Sequence, residues 1–426
     1  MRTRLHFITT LHFLTLLVSG DQKPEIRWKS NKSQIVHHSL DKTRKNFEQE
    51  AGWLPLHDTC AENLEIPKVA LLFLTRGYLQ HHDTWQLWLE AVQGMLPVDA
   101  IHKISCTAEA ISTAGHSCGM SGGRGALQQQ HLFSIFVHVG SDENFAGFPR
   151  DSVFHGRVIP TRLKTRWGTH SLTTAIRALL KEALNDVLSQ RLVLLSEWDI
   201  PLYPPRVVYL QLMAEQASRI DACPGPMFKM KPGRWRGNFL NTTFDFQHWR
   251  KADTWFSLMR HHAQAIVEDH SVERQFAKNC QHTDTNVSRW RECFSDQHYF
   301  ATVLSFKGLE NETFCHASMM NSGGDASKPR MFPLETVNAD ELRALRQTEG
   351  AVCRDKMATD LAQEHLVHFS GFNATVCALP ALEYRHPLAP NCPLFARKFG
   401  PETADAVTEV LKQSGFLTQI KLEQLD

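Results

Sequence analysis

The sequence predicts an α/β fold with a mainly parallel central sheet flanked by helices and a disulfide-stabilised C-terminal region. Two observations carry the sheet. Apolar runs of strand length recur at 69–74, 132–139 and 192–195, continuous rather than alternating, as in strands buried on both faces. Helical patterns separate these runs, and strands alternating with helices build an open parallel sheet. A third observation concerns the cysteines. There are ten, an even number, with no CxxC pair, which disfavours zinc ribbons and redox motifs.

The elements follow in order. Val69–Leu74 ends at Thr75-Arg76-Gly77. Trp85, Trp88, Leu89 and Val92 recur at helical spacing, with Asp83 as N-cap and Pro97 as terminator. Residues 105–130 are rich in Gly, Ser and Cys and read as a loop. Leu132–Val139 is the second strand. Ser171 caps an amphipathic helix carrying Leu172, Ile176, Leu179, Leu180, Ala183, Leu184, Val187 and Leu188. Leu192–Leu195 is the third strand, and a helix follows Pro204-Pro205. Further on, a helix is expected around Trp249–Asp269 and another from Ser295-Asp296. Asn338-Ala339-Asp340-Glu341 resembles a capping box. Leu394–Phe399 reads as a short strand, and Pro401 opens the last helix.

The N-terminus sets the compartment. Met1-Arg2-Thr3-Arg4, an apolar run from Leu5 to Val18 and Ser19-Gly20 have the order of a signal peptide or short signal anchor over 1–20. Residues 21–60 read as a polar stem, and 61–426 as the folded domain, with its C-terminal region starting near 320. Sequons begin at Asn31, Asn241, Asn286, Asn311 and Asn373, which fits a glycosylated lumenal chain. In that compartment the cysteines would be disulfides. The pairs nearest in sequence are Cys106–Cys118, Cys280–Cys293 and Cys377–Cys392, although spacing does not fix connectivity. Lys+Arg is 46 against 45 Asp+Glu, a net charge of +1, which excludes a polybasic nucleic-acid binder.

Several motifs carry no chemistry in context. Gly115-His116-Ser117-Cys118-Gly119 matches the serine-hydrolase elbow but lacks its strand-turn-helix frame. Gly119–Gly125 lacks the Lys and hydroxyl of a phosphate loop. His37-His38, His81-His82 and His261-His262 lack helical metal-ligand spacing and read as surface histidines. The strand ends say more. In open α/β sheets ligands gather at the carboxyl ends of the strands, where Arg76, His138, Glu197 and Asp199 fall. Glu197 and Asp199 share one face of an extended segment. They read either as an acidic metal or sugar clamp or as caps on nearby backbone. Asp296 opens a helix, as helix stabiliser or as an acid in the site. In Leu394–Phe399 alternation sends Arg397 and Lys398 to opposite faces.

Taken together, VALLFLTRG (69–77), FSIFVHVG (133–140), SVFHGRVIP (152–160), RWGTHSL (166–172), LVLLSEWDIPLY (192–203), WRKADTWF (249–256), SDQHYFATVL (295–304) and CPLFARKF (392–399) resemble the core-2/I-branching β-1,6-N-acetylglucosaminyltransferase family, in its plant and algal branch. The resemblance implies a GT-A-like fold and inverting transfer of a sugar, N-acetylglucosamine above all, from a UDP-sugar donor to a glycan or glycoprotein acceptor. Plant-type relatives also include users of other donors such as UDP-glucuronic acid. It implies a Golgi lumenal site, type II anchored or cleaved and secreted, and no required metal or other cofactor.

By motif, Lys398 matches the lysine facing the UDP diphosphate, where a fixed cation stabilises the leaving charge. His138 and Trp167 match positions near the nucleotide, Gly140 stands where the family often has an acid, and Arg385 is a candidate partner arginine. The family's base is a Glu in an Asp-Glu pair. Here the pair is Asp296-Gln297, and Gln accepts no proton from a hydroxyl. Three alternatives stand open: Asp296 serves as base, Glu197 or another carboxylate substitutes, or the protein is a catalytically impaired glycan-binding relative.

Overall fold

The computed structural model describes residues 66–93, 95–97, 132–140, 144–239, 243–280, 293–315, 319–323, 330–347, 353, 366–368, 388–389 and 391–413. All of them belong to one compact unit, Glu50–Asp426. The leader, the stem, the loop at 105–130, Arg385, and the sequons at Asn31, Asn241, Asn286 and Asn373 lie outside the described residues. Among the described residues no helix is long and apolar enough to cross a membrane.

In chain order the elements are β1 (Lys68–Thr75), α1 (His82–Glu90), β2 (Met95–Pro97), β3 (Phe133–Val139), α2 (His170–Ala183), β4 (Ser189–Ser196), β5 (Ile200–Pro201), α3 (Pro205–Ala214), α4 (Met227–Met230), α5 (Pro232–Asn238) and β6 (Ser257–Met259). Then come α6 (Arg260–Glu268), α7 (Ser271–Asn279), α8 (Ser295–Phe306), β7 (Met320–Asn321), α9 (Ala339–Ala344), β8 (Leu366–His368), β9 (Phe395–Ala396) and α10 (Ala404–Gln413). The central sheet has the order β3-β1-β4-β6. β1 pairs in parallel with β3 and β4, and β6 closes the edge antiparallel to β4. The predicted mixed α/β layout with a mainly parallel sheet is therefore the one observed. A second sheet, β5-β9-β7, assembles beyond the end of β4.

The continuous apolar strands are explained by burial on both faces. Val69, Leu71 and Phe73 pack with Val193 and Leu195 against Trp85, Trp88 and Tyr209. Ala70, Leu72 and Leu74 point the other way, with Leu192 and Leu194, onto Ile176, Leu179, Ile266 and Val303. Period-two alternation thus serves two helical layers at once. Asn338 accepts the Glu341 amide at 2.9 Å, the expected cap of α9. α3 begins at Pro205, as the Pro pair predicted.

Four boundaries differ from expectation for local reasons. α1 starts at His82, so Asp83 lies inside its first turn, and it ends at Glu90 while Pro97 closes β2. α2 starts one residue before Ser171, which instead accepts the Arg166 amide. It stops at Ala183 because Asp186 turns the chain through the Leu188 amide, leaving Val187 exposed. The expected helix at Trp249–Asp269 begins only at Arg260. Upstream, the amides of Arg250 and Ala252 bond to Thr302 Oγ1 and the Gln297 carbonyl, so these backbone donors are already used by α8. Regular strand in 394–399 is confined to Phe395–Ala396.

Among the described cysteines, Cys280–Cys293 pairs as expected. Cys392 pairs with Cys353 and not with Cys377, and Cys223 pairs with Cys315 across 92 residues. Cys106 and Cys118 lie outside the described residues.

Candidate active site

The carboxyl ends of β1, β3 and β4 converge with the segment after β9. Register dictates this: Leu74 faces His138 on one side and Ser196 on the other. The Gly140 amide bonds the Thr75 carbonyl at 2.8 Å, and a Cβ at Gly140 would touch Arg76 backbone atoms at 3.4 Å. The chain after β9 is drawn in by three backbone bonds. The Phe399 amide donates to the Trp198 carbonyl, the Phe332 amide to the Lys398 carbonyl, and the Arg397 amide to the Asn321 carbonyl. Lys398 is thereby placed against the turn after β4.

At the centre of this edge, carboxylates hold cations. Glu197 accepts the Arg76 amide at 2.6 Å, Arg76 Nε at 2.6 Å and Trp198 Nε1 at 2.8 Å. Arg76 lies over the Trp198 ring at 5.3 Å, with its side chain 74% exposed. Asp199 is fully buried and accepts the Ser196 amide and hydroxyl. Arg397 Nε stands 3.4 Å from Asp199 Oδ1, and its guanidinium covers Trp255 at 4.3 Å. Burial raises the Asp199 pKa and outweighs the attraction of Arg397. Lys398 is half-buried. Burial lowers its pKa, helped by Arg397 and Arg76, while Asp199 opposes the shift. Asp199 thus attracts both Arg397 and Lys398, and regular strand ends at Ala396, before either of them.

A second cluster surrounds the start of α8. Asp296 is buried, its Oδ2 accepts the Thr254 hydroxyl at 2.8 Å, and Oδ1 has no hydrogen-bond partner. Burial raises its pKa. Arg234 Nη1 donates to Gln297 Oε1 and to His298 Nε2, each at 3.1 Å. His298 is kept neutral by burial, and its Nδ1 donates to the Arg250 carbonyl. Arg234 also covers the Phe294 ring at 4.4 Å, and Trp167, 68% exposed, packs edge-on against Phe294 at 4.9 Å. Phe294 has φ 45°, a strained conformation of the kind that clusters at functional sites. Asp253 joins the clusters. It is exposed, and its charge opposes the burial that lowers the pKa of Arg397 on one side and of Lys251 on the other.

Several of the expected residues have partners within the fold. Glu197 accepts three hydrogen bonds from Arg76 and Trp198, so it positions a cation. Asp199 is walled off by Ser196 and Arg397. His138 is wholly buried and accepts the Leu163 amide at 3.0 Å, so it fixes the 157–163 segment from behind the edge. Trp167 stands beside α8. Sequence reading gave no role to Arg397, Trp255, Arg234, Lys251 or Asp253. Three of them, Lys251, Asp253 and Trp255, lie in the Trp249–Phe256 segment, whose charged and aromatic residues are close enough in sequence to line one wall.

The fold and edge now allow comparison with known proteins. A family model described as Core-2/I-Branching enzyme matches residues 125–346, which spans the end of β3, the β4 turn and α8. Glycosyltransferase BC10 of Oryza sativa subsp. japonica is 31% identical over 215 residues, 46% of this chain and 52% of that protein. The chain thus spans about half the length of the curated relative it matches.

Proposed function

This chain belongs to the Core-2/I-Branching enzyme family, and from that premise we propose that it is an inverting glycosyltransferase. In this reading it moves a sugar, N-acetylglucosamine in the first instance, from a UDP-sugar to a glycan hydroxyl in the secretory pathway. The observation that carries the reading is the cationic edge. Arg76 and Arg397, each set by a carboxylate and an aromatic ring, stand with Lys398 at the carboxyl ends of parallel strands. A leaving diphosphate gathers negative charge as its bond to the anomeric carbon breaks, and fixed cations stabilise that charge most in the transition state.

Metal-independent transfer is supported by the donor set. Both carboxylates of Glu197-Trp198-Asp199 are engaged by Arg76, Ser196 and Arg397, so in this reading guanidinium groups take the role of a divalent ion. The base needs an exposed carboxylate between the donor edge and an acceptor. Asp253 is exposed and acts electrostatically on Arg397 and Lys251, whereas Asp296 is buried, and the base role is assigned to Asp253 on that ground. In the proposed step the Asp253 carboxylate takes the hydroxyl proton. The oxygen forms the new bond to the anomeric carbon from the face opposite UDP, and UDP departs toward Lys398 and Arg397. Trp167, Phe294 and Arg234 line the acceptor side. The leader and the three disulfides support a lumenal location, anchored or secreted. Asn311 is exposed at its sequon.

One observation favours a second reading. Arg234 sits on Gln297, where a carboxylate would make an ion pair. An impaired, glycan-binding relative would look like this. Calorimetry of UDP with the purified protein, with and without EDTA, tests the main reading. UDP binding that EDTA leaves intact supports metal-independent transfer. No UDP binding in either buffer rejects the transferase. Asp253→Asn then tests the base, with turnover expected to fall about 10²- to 10⁴-fold while UDP affinity holds.

A further inference from the structure

We propose that His261, His262 and Glu312 form a site for a divalent transition metal of the zinc class, remote from the donor edge. Two adjacent histidines at the start of α6 meet a carboxylate fifty residues further along the chain. One ligand atom from each of the three lies within 4.8 Å of the others. His261 Nε2 is 2.7 Å from Glu312 Oε2, and His262 Nε2 is 3.6 Å from the same oxygen. Ligands about 2.1 Å from a tetrahedral zinc stand about 3.4 Å apart, so the second distance already fits and the first needs to open by less than about 1 Å.

The buried member supplies the independent sign of a ligand. His262 is wholly buried, and its Nε2 has no hydrogen-bond partner, a loss that buried polar atoms ordinarily avoid. Its other nitrogen is 2.7 Å from Ser218 Oγ, which itself accepts the Met259 amide at 2.8 Å. A ring fixed through one nitrogen and open at the other is the arrangement that orients metal-binding histidines. His261 and Glu312 are half-exposed, at 46% and 49%, which leaves an entry path and a fourth position for water. Two imidazoles and one carboxylate favour zinc over magnesium or calcium, which take all-oxygen sets.

The site is a staple rather than part of the transfer chemistry. Met259, just before α6, pairs with Arg191 near the start of β4, while Glu197 follows the end of that strand, roughly 20 Å away at strand rise. A bound ion ties α6 to the 310–315 turn, which Cys223–Cys315 already holds.

The test uses tag-free protein stripped with EDTA and dialysed, titrated with zinc chloride by calorimetry, with thermal unfolding in parallel. One zinc per chain is expected, with micromolar or tighter affinity and a raised Tm. Glu312→Gln and His261→Ala, both at exposed positions, are each expected to weaken binding at least tenfold and to leave UDP affinity unchanged. Absence of saturable zinc binding overturns the proposal, as does unaltered affinity in both variants. Magnesium binding as tightly as zinc overturns the metal class.

Discussion

Replacing Lys398 with Ala removes one of three cations at the donor edge and leaves its backbone bonds to Phe332 and Arg330 in place. The size of the effect follows from the field. A unit charge about 4 Å from another, at an effective dielectric near 20, is worth about 4 kcal/mol. Lys398 is half-buried, so solvent screening cuts that to about 2 kcal/mol, or about 30-fold. Arg76 and Arg397 remain, and their repulsion of the ammonium, the same effect that lowers its pKa, is relieved in the unliganded protein. UDP affinity is therefore expected to fall about tenfold. Turnover is expected to fall by about 10²-fold or more, because charge on the diphosphate grows toward the transition state. UDP release from a panel of UDP-sugars without acceptor measures hydrolytic turnover, in which water takes the place of the acceptor hydroxyl; calorimetry measures affinity; unchanged Tm shows an intact fold. The lowered pKa adds a sign. The charged form is lost as pH rises through it, so wild-type UDP affinity weakens on the alkaline side sooner than a free lysine's pKa of about 10.4 requires. A Lys398→Ala protein that binds UDP and turns over within threefold of wild type refutes the role.

Further outcomes are expected elsewhere. Gln297→Glu changes turnover by less than about threefold if Asp253 is the base; a gain of about 10²-fold supports the impaired reading and displaces Asp253. Glu215→Ala strands the fully buried Arg219, which donates to Glu215 and to the Cys392 carbonyl. Urea unfolding is expected to show a loss of about 3–5 kcal/mol, much of it recovered when Arg219 is also made Met. His138 has its pKa lowered to about 4 by burial, so it is neutral in the fold and the unfolded chain takes up its proton first. Its contribution is full above about pH 6.5 and is lost as pH falls toward 4, up to about 3 kcal/mol. His138→Gln is expected to flatten that part of the stability profile; equal acid slopes for both proteins disprove the assignment.

The sheet was legible because its signal is local. A run such as Val69–Leu74 has one solution in a parallel sheet, and each strand end lands at the ligand edge whichever helices flank it. Boundaries were less legible where distant groups supplied hydrogen bonds. Trp249–Phe256 has helical spacing, yet Thr302 and Gln297 of α8 accept its amides. Cys392 sits closer in sequence to Cys377, yet Cys353 is the one folding brings to it.

The site shows the same division more sharply. Position at a strand end was readable, but occupancy was not. Glu197, Asp199 and His138 all lie at the predicted edge, and each is held by a neighbour that sequence spacing does not reveal: Arg76 just after β1, Arg397 from beyond β9, and the Leu163 amide. A carboxylate that has accepted three donors is a scaffold for the cation it holds. That cation is 74% exposed and is, in the proposed function, the group that meets substrate. The proposed chemistry thus shifts from the conspicuous acids to the cations they orient, and to Asp253, whose charge acts on both Arg397 and Lys251 although Arg397 lies more than a hundred residues further along the chain.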